Sequence, residues 1–344
     1  MIIFPNRLNK EKVIGITATS DIANLDTIDY SINYIKNMGY KVVETSNVRK
    51  KQGLTSSDGK TRADEFISLW KRKDIGHIIS ARGGEFLMEM IPYLDEYIDK
   101  IKDINPKWVQ GYSDTSLLLY YLTTKYNIAT IHSENLGGYS KNNNFTDNTV
   151  KNVISLIEKL DVNYIFKQDN LLKYELCEFE DINTRVSVGY NLTEKVKYNY
   201  INGDNNVEFS GRMLGGCIDV ISIIFGTKYD STLKFINSCK EGIIWYLDNC
   251  ELSSIELYRR LWKMKELDYF KNSNGFLIGR TYAKDFEYFT FKEAILNALG
   301  DLNVPIITDV DIGHVSPQWI IVNGCLGHFK YKDNRGKLIQ EFIH

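Results

Sequence analysis

Residues 13–122 repeat one pattern: a short apolar run, a Gly-bounded or polar turn, then a stretch with apolar residues at helical spacing. Val13-Ile-Gly-Ile-Thr reads as a buried strand, Thr27 to Met38 as a helix ended by Gly39, and Tyr40-Lys-Val-Val-Glu as the next strand. Asp64 to Trp70 predicts a second helix, Gly76-His-Ile-Ile-Ser-Ala a strand, and Phe86 to Ile101 a third helix. Trp108-Val-Gln-Gly is a further strand, followed after Tyr112-Ser113-Asp114 by the apolar helix Leu117 to Leu122. Strands separated by helices are joined by crossovers rather than hairpins, so this half of the chain predicts a parallel sheet with helices on both faces.

The pattern changes after about residue 145. Residues 141–148 are polar, a helix is predicted to about Leu160, and 165–210 reads as short strands broken by Asn and Gly turns. Beyond it, Gly211-Arg-Met-Leu-Gly-Gly predicts a helix running through Phe225, Gly242-Ile-Ile-Trp-Tyr-Leu a strand, Ser254 to Lys265 a helix and Gly275-Phe-Leu-Ile-Gly a strand. A length of 344 residues suits two domains. The expectation is an α/β chain: a parallel-sheet domain over 1–160 and a smaller α+β domain over 165–344.

Charge narrows the partners. Lys and Arg number 42 against 44 Asp and Glu, so no overall basic field exists to hold nucleic acid or an anionic membrane surface. No run of about 18 apolar residues occurs, and Met1 to Arg7 lacks a signal-peptide core, which gives a cytoplasmic expectation. Cys177, Cys217, Cys239, Cys250 and Cys325 show no C-x-x-C spacing and suggest neither a disulfide framework nor a zinc site. A small-molecule or peptide substrate is therefore expected.

Chemistry concentrates at strand ends. Trp108-Val-Gln-Gly-Tyr-Ser113-Asp-Thr delivers a serine into a tight turn at the start of an apolar helix, where Oγ is exposed and free helical N–H groups lie beside it. On this segment alone a simple helix cap is the favoured reading of Ser113 over a nucleophile. The turn Arg82-Gly83-Gly84 follows another strand, and its glycines admit close backbone approach to a ligand. No P-loop is present, and Gly83-Gly84 is too short for a dinucleotide fingerprint. A serine nucleophile needs a base and an orienting acid. His314, in a Gly- and Pro-bounded loop, and His132, after a strand, compete as base, whereas His77 reads as core and His344 as a terminal residue. Asp248 follows an apolar strand and is a candidate acid, with Asp219 and Asp311 as alternatives.

Taken together, six segments in order resemble the serine LD-carboxypeptidase family, which includes muramoyltetrapeptide carboxypeptidases and microcin C self-immunity peptidases. They are Val13-Ile-Gly-Ile-Thr-Ala-Thr-Ser, Ala81-Arg-Gly-Gly, Gly111-Tyr-Ser-Asp-Thr-Ser, Gly211-Arg-Met-Leu-Gly-Gly, Trp245-Tyr-Leu-Asp-Asn-Cys-Glu with Arg259-Arg260 downstream, and Asp311-Ile-Gly-His-Val-Ser-Pro. The resemblance implies a Ser-Glu-His triad across the domain interface, with Ser113 as nucleophile and His314 as base. The glutamate position falls on Asp248, one methylene shorter, and Glu251 is the nearby substitute. An oxyanion hole is implied at the backbone N–H groups of Gly84, or Gly83, and Asp114. Arg82 is a candidate for a substrate carboxylate. No metal or organic cofactor is implied, and a homodimer is. The implied substrate is a cytoplasmic murein tetrapeptide, cleaved next to its terminal D-residue. The alternatives are an immunity hydrolase acting on a peptidyl or aminoacyl nucleotide, for which Tyr190, Tyr198 and Tyr200 are candidate stacking groups, and a non-catalytic small-ligand binding protein.

Overall fold

Val13–Thr17 is buried along its whole length, as a strand covered on both faces must be, and it forms β1, an interior strand of the first sheet. The computed structural model describes residues 1–101, 104–140, 153–160, 164–175, 192–204 and 206–343; Cys177, Tyr190 and His344 lie outside them. Around β1 run β2 (Lys41–Glu44), β3 (Ile75–Ser80), β4 (Trp108–Gly111) and β5 (Thr130–His132), all parallel, in the order β5-β4-β3-β1-β2. The connecting helices are α1 (Leu25–Asn37), α2 (Gly59–Lys71), α3 (Ile91–Ile101) and α4 (Ser116–Tyr126). Asn24 and Asp58 cap α1 and α2 through side-chain oxygens that accept backbone N–H groups at 2.9 Å.

Helix α4 is apolar all round, with Ser116 to Thr124 all buried. Such a helix cannot lie at a surface, and α4 packs between β5 and a long strand of the second sheet. That second sheet begins with β6 (Ile165–Asp169), while β7 (Lys173–Tyr174) and β8 (Glu194–Lys195) form a separate small ribbon. It continues with β9 (Asn199–Tyr200), β10 (Val207–Cys217), β11 (Ile243–Asp248), β12 (Ser273–Gly279) and β13 (Ile306–Val310). After β14 (Ile321–Asn323), β15 (Leu326–Lys332) and β16 (Arg335–Glu341) complete it in the order β6-β16-β15-β10-β11-β12-β13-β9. Strands β10 to β13 are mutually parallel and the flanking pairs antiparallel. Its helices are α5 (Ile218–Ile221), α6 (Thr232–Ser238), α7 (Ser254–Glu266) and α8 (Phe291–Leu299), the last two opened by capping boxes at Ser253 and Thr290. Among the described residues no helix is long and apolar enough to cross a membrane.

Two expectations are corrected. Gly211 to Gly216 does not open a helix but completes β10, and helix begins only at Ile218. The glycines serve strand packing: a Cβ at Gly215 would stand 1.7 Å from the Tyr246 carbonyl oxygen of the neighbouring strand. Secondly, β14 leaves the C-terminal half and pairs antiparallel with β5, Ile321 opposite His132, so the last third of the chain also closes the first sheet.

Asn323 on β14 joins the two sheets: its Oδ1 accepts the Gly215 N–H at 3.1 Å and its Nδ2 donates to Thr130 Oγ1 at 3.4 Å, all in a buried setting. Asn323→Ala leaves the Gly215 donor buried without a partner, and chemical denaturation should show a loss of about 1–3 kcal/mol. An unchanged midpoint would remove Asn323 from that joining role.

Candidate active site

Strand β4 ends at Gly111 and hands the chain to Tyr112 and Ser113. Ser113 adopts φ 59°, the left-handed region that costs a non-glycine residue on the order of 1 kcal/mol. It begins a short 3₁₀ turn, Ser113–Thr115, that continues into α4, and neither N-terminus uses a serine side-chain cap. The cap reading of Ser113 is thereby replaced by a strained elbow. Asn135 holds that elbow from behind, its Oδ1 accepting the Tyr112 N–H at 3.2 Å and its Nδ2 donating to the Tyr112 carbonyl at 3.4 Å. Asn135 escaped the sequence reading, although it follows β5 as Ser113 follows β4.

The Gly83-Gly84 turn after β3 lies directly on Ser113. A Cβ at Gly83 would sit 2.7 Å from Ser113 Cβ, 2.9 Å from its Oγ and 3.4 Å from the Asp114 nitrogen. Gly84 has φ +152°, and a Cβ there would meet Ser20 Oγ at 2.4 Å. Both positions therefore require glycine, for contact in one case and for conformation as well in the other. Arg82 stands partly exposed, its Nη1 3.7 Å from an Asp21 carboxylate oxygen that Lys51 approaches at 3.0 Å.

Asp248 closes β11 and is wholly buried. His314, in the loop between β13 and β14, lies against it: Nδ1 and Asp248 Oδ2 are 2.7 Å apart, and the His314 backbone N–H donates to Oδ1 at 3.3 Å. Gly313 makes the approach possible, since a Cβ there would overlap Asp248 Oδ1 at 1.8 Å. His314 Nε2 is buried and makes no hydrogen bond of good geometry, with the Cys250 thiol against the same ring. The Tyr112 ring packs on the imidazole with centroids 5.2 Å apart, so the residue before Ser113 touches the histidine loop. Burial disfavours the imidazolium, but the Asp248 carboxylate more than offsets this and raises the His314 pKa well above the ordinary imidazole range.

The alternative residues occupy other positions. Burial lowers His132 to about 4 and His77 to about 3, so both are neutral core rings; His132 packs edge-on against Tyr112 and Tyr246. Asp219 accepts the backbone N–H groups of Cys250 and Glu251 at 3.1 and 2.8 Å, and the side chain of Glu251 is exposed. Asp311 pairs with Arg280 at 2.6 Å and accepts the Tyr198 hydroxyl at 2.5 Å. Tyr198 is thus a core residue rather than a solvent-side strand aromatic, and Tyr200 is half-buried against Tyr331.

Asp114 faces away from Ser113. Its Oδ2 accepts from Ser20 Oγ at 2.5 Å and the Leu87 N–H at 2.9 Å, and burial raises its carboxyl to about 6. The native pKa exceeds the unfolded value of about 3.9, so the native state holds this proton more tightly; that contribution is full below about pH 4 and is lost as pH rises to about 6, on the order of 3 kcal/mol. Asp114→Asn should flatten the stability profile over this interval, as read by denaturation at successive pH values. A slope equal to wild type would show that another group titrates there.

Comparison with known proteins gives the chain's family. The LD-carboxypeptidase N-terminal domain matches residues 14–133, and the LD-carboxypeptidase C-terminal domain matches residues 210–328. The microcin C7 self-immunity protein MccF of Escherichia coli is 25% identical over 321 residues, 91% of this chain and 88% of MccF. The structure of MccF in complex with glutamyl sulfamoyl guanosine aligns with a TM-score of 0.82 at 22% identity, covering 98% of each chain. An MccF-like protein from Streptococcus pneumoniae in complex with AMP aligns with a TM-score of 0.75 at 22% identity, covering 96% of this chain and 98% of that one. At such identities the structural likeness carries the fold, while the two domain matches contain Arg82 to Gly84, Ser113, Asp114, Asp248 and His314. In sequence and in fold, therefore, the chain belongs to the LD-carboxypeptidase family of serine peptidases.

Proposed function

We propose that the protein hydrolyses an amide bond through an acyl-enzyme on Ser113, with His314 as general base and Asp248 as its orienting acid. The observation that carries this reading is the Asp248–His314 pair, whose Nε2 lies in the loop that packs on the Ser113 elbow. Asp248 accepts the Nδ1 proton, which fixes the tautomer whose Nε2 lone pair can take the Ser113 proton. As Oγ adds to the carbonyl, the developing oxyanion is received by backbone N–H groups of Gly84, or Gly83, and Asp114. His314 then returns the proton to the leaving amine, and water releases the acyl group by the same steps in reverse order. The aspartate in place of the family's glutamate supports catalysis here rather than a non-catalytic binding role, because it reaches the imidazole at hydrogen-bond distance.

For the substrate, the amide of an aminoacyl or peptidyl nucleotide conjugate moves ahead of the murein tetrapeptide favoured by the sequence. The ground is the self-immunity protein aligned over nine-tenths of the chain, together with solved relatives bound to an aminoacyl sulfamoyl nucleoside and to AMP. The murein reading retains the support of the family's own activity. Arg82 is the cation proposed for a substrate carboxylate, shared with Asp21. A homodimer is carried over from the family resemblance as part of this proposal.

Mass spectrometry of an aminoacyl sulfamoyl adenosine and of a UDP-muramoyl tetrapeptide, each with wild type and Ser113→Ala, tests the substrate. Serine-dependent cleavage of the first is expected; serine-dependent loss of D-alanine from the second alone would reverse the order, and turnover of neither would count against the hydrolase. In the same assay Arg82→Ala should raise KM, and an unchanged KM would remove it from substrate binding. A second measurement follows the pH dependence of Ser113 labelling by a fluorophosphonate. The rate should rise as His314 loses its proton. Asp248→Asn, by removing the charge that raises the imidazole, should shift the midpoint to lower pH and cut the plateau by about 10³–10⁴-fold. A midpoint that does not move would exclude Asp248 as the partner of the base.

A further inference from the structure

The proposed hydrolysis leaves two thiols beside the Asp248–His314 pair without a role, Cys250 against the imidazole and Cys217 at the end of β10. Cys217 closes β10 and is the register partner of Asp248 on the adjacent parallel strand, so both side chains leave the sheet on the same face at the same end. One donor atom each from Cys217, Asp248 and His314 lies within 4.8 Å of the other two. Cys217 and Asp248 are buried, and only 13% of the His314 side chain is exposed. Among the described residues this is the one place where three such donors converge.

We propose that this cluster is an inhibitory site for a thiophilic divalent cation, Zn²⁺ above all, bound by Cys217 Sγ, an Asp248 carboxylate oxygen and His314 Nδ1. The donor set is the mixed sulfur, nitrogen and oxygen combination that suits zinc, with three protein ligands and a water at the fourth position. Zinc–ligand bonds of about 2.0–2.3 Å place tetrahedral donors about 3.3–3.7 Å apart, so donors separated by as much as 4.8 Å must close by up to about 1.5 Å, and Nδ1 and Oδ2, now 2.7 Å apart, must part by about 0.6 Å. One thiolate and one carboxylate balance the dication, and a second carboxylate stands beside it, since Asp219 Oδ2 accepts the Cys217 Sγ–H at 3.4 Å.

Binding involves no redox step. For neutral His314, the cation takes the Nδ1 lone pair, the ring proton moves from Nδ1 to Nε2, and the Cys217 thiol proton is released to solvent. Nε2 then carries a hydrogen and cannot accept one from Ser113. Metal capture itself is independent of the proposed hydrolase reading; only its inhibitory consequence rests on His314 being the base. The sequence hid this site because its ligands come from two strands and a loop rather than from neighbouring positions in the chain.

Cobalt(II) is the spectroscopic probe. One equivalent added to wild type should give a thiolate-to-cobalt charge-transfer band and the intense visible bands of four-coordinate cobalt, removed by EDTA and displaced by Zn²⁺. The band should vanish in Cys217→Ser and in Cys217→Ala and persist in Cys250→Ser, with thermal melting used to check that each variant is folded. Absence of the band from wild type, its survival in both Cys217 variants, or its loss only in Cys250→Ser would each overturn the site. One equivalent of Zn²⁺ should also slow fluorophosphonate labelling of Ser113 at least about tenfold in wild type and not in Cys217→Ser. A cobalt–thiolate band with undiminished labelling would overturn the inhibitory role. Wild type that takes no fluorophosphonate at all, with or without metal, would instead refute the hydrolase reading while the cobalt spectrum still decides the metal site.

Discussion

The site is organised around a buried carboxylate that must be satisfied. Asp248 has no water to turn to at the end of β11, and an unpaired charge there would be costly. The His314 segment supplies both partners, the ring at 2.7 Å and the backbone N–H at 3.3 Å, and Gly313 lets the backbone come that close. Aspartate suits this geometry because the loop already lies against its carboxylate. A side chain longer by one methylene would have to displace the Gly313–His314 backbone.

The Ser113 elbow and the Asp248–His314 pair are brought together by the joining of two sheets. Helix α4 is wedged between them, and β14 crosses from the second half of the chain to extend the first sheet beside β5. Tyr112 then spans the junction, its ring on His314 and its backbone gripped by Asn135. The strain at Ser113 is sustained by this grip, by the Gly83 turn pressed onto its side chain and by the buried start of α4. Since a displacement of about 1 Å between reacting groups can cost on the order of a hundredfold in rate, such bracing has a direct chemical consequence.

Much of this was legible in the sequence, and the limits were physical. The alternation of apolar runs and amphipathic stretches over 13–122 corresponds to β1 through α4, because buried parallel strands and crossover helices leave strong periodic signals. The serine elbow was readable from Gly111 and the apolar helix behind it, though whether Ser113 caps or is strained depends on a backbone angle that no residue type dictates. Gly211 to Gly216 was misread because glycine pairs mark helix openings and close strand contacts alike, and only the Tyr246 carbonyl across the sheet decides between them. Strand β14 spans three residues and pairs with a strand nearly two hundred positions earlier, beyond any local pattern.

The three strand-end aspartates show how position assigns different work to one chemical group. Asp219 is satisfied by the backbone N–H groups of Cys250 and Glu251, so it fixes the turn that follows Asp248. Asp311 is satisfied by Arg280, by the Tyr198 hydroxyl and by the Leu171 N–H, and its own carbonyl accepts the Trp319 N–H, so it anchors the base of the His314 loop. Neither retains acceptor capacity directed at an imidazole. Asp248 alone of the three meets the ring, and it does so between turns that the other two hold in place. Asp219 and Asp311 are thus part of the reason Asp248 is held where it is: a carboxylate can orient a histidine only if both of their backbones are fixed, and that fixing falls to the remaining pair.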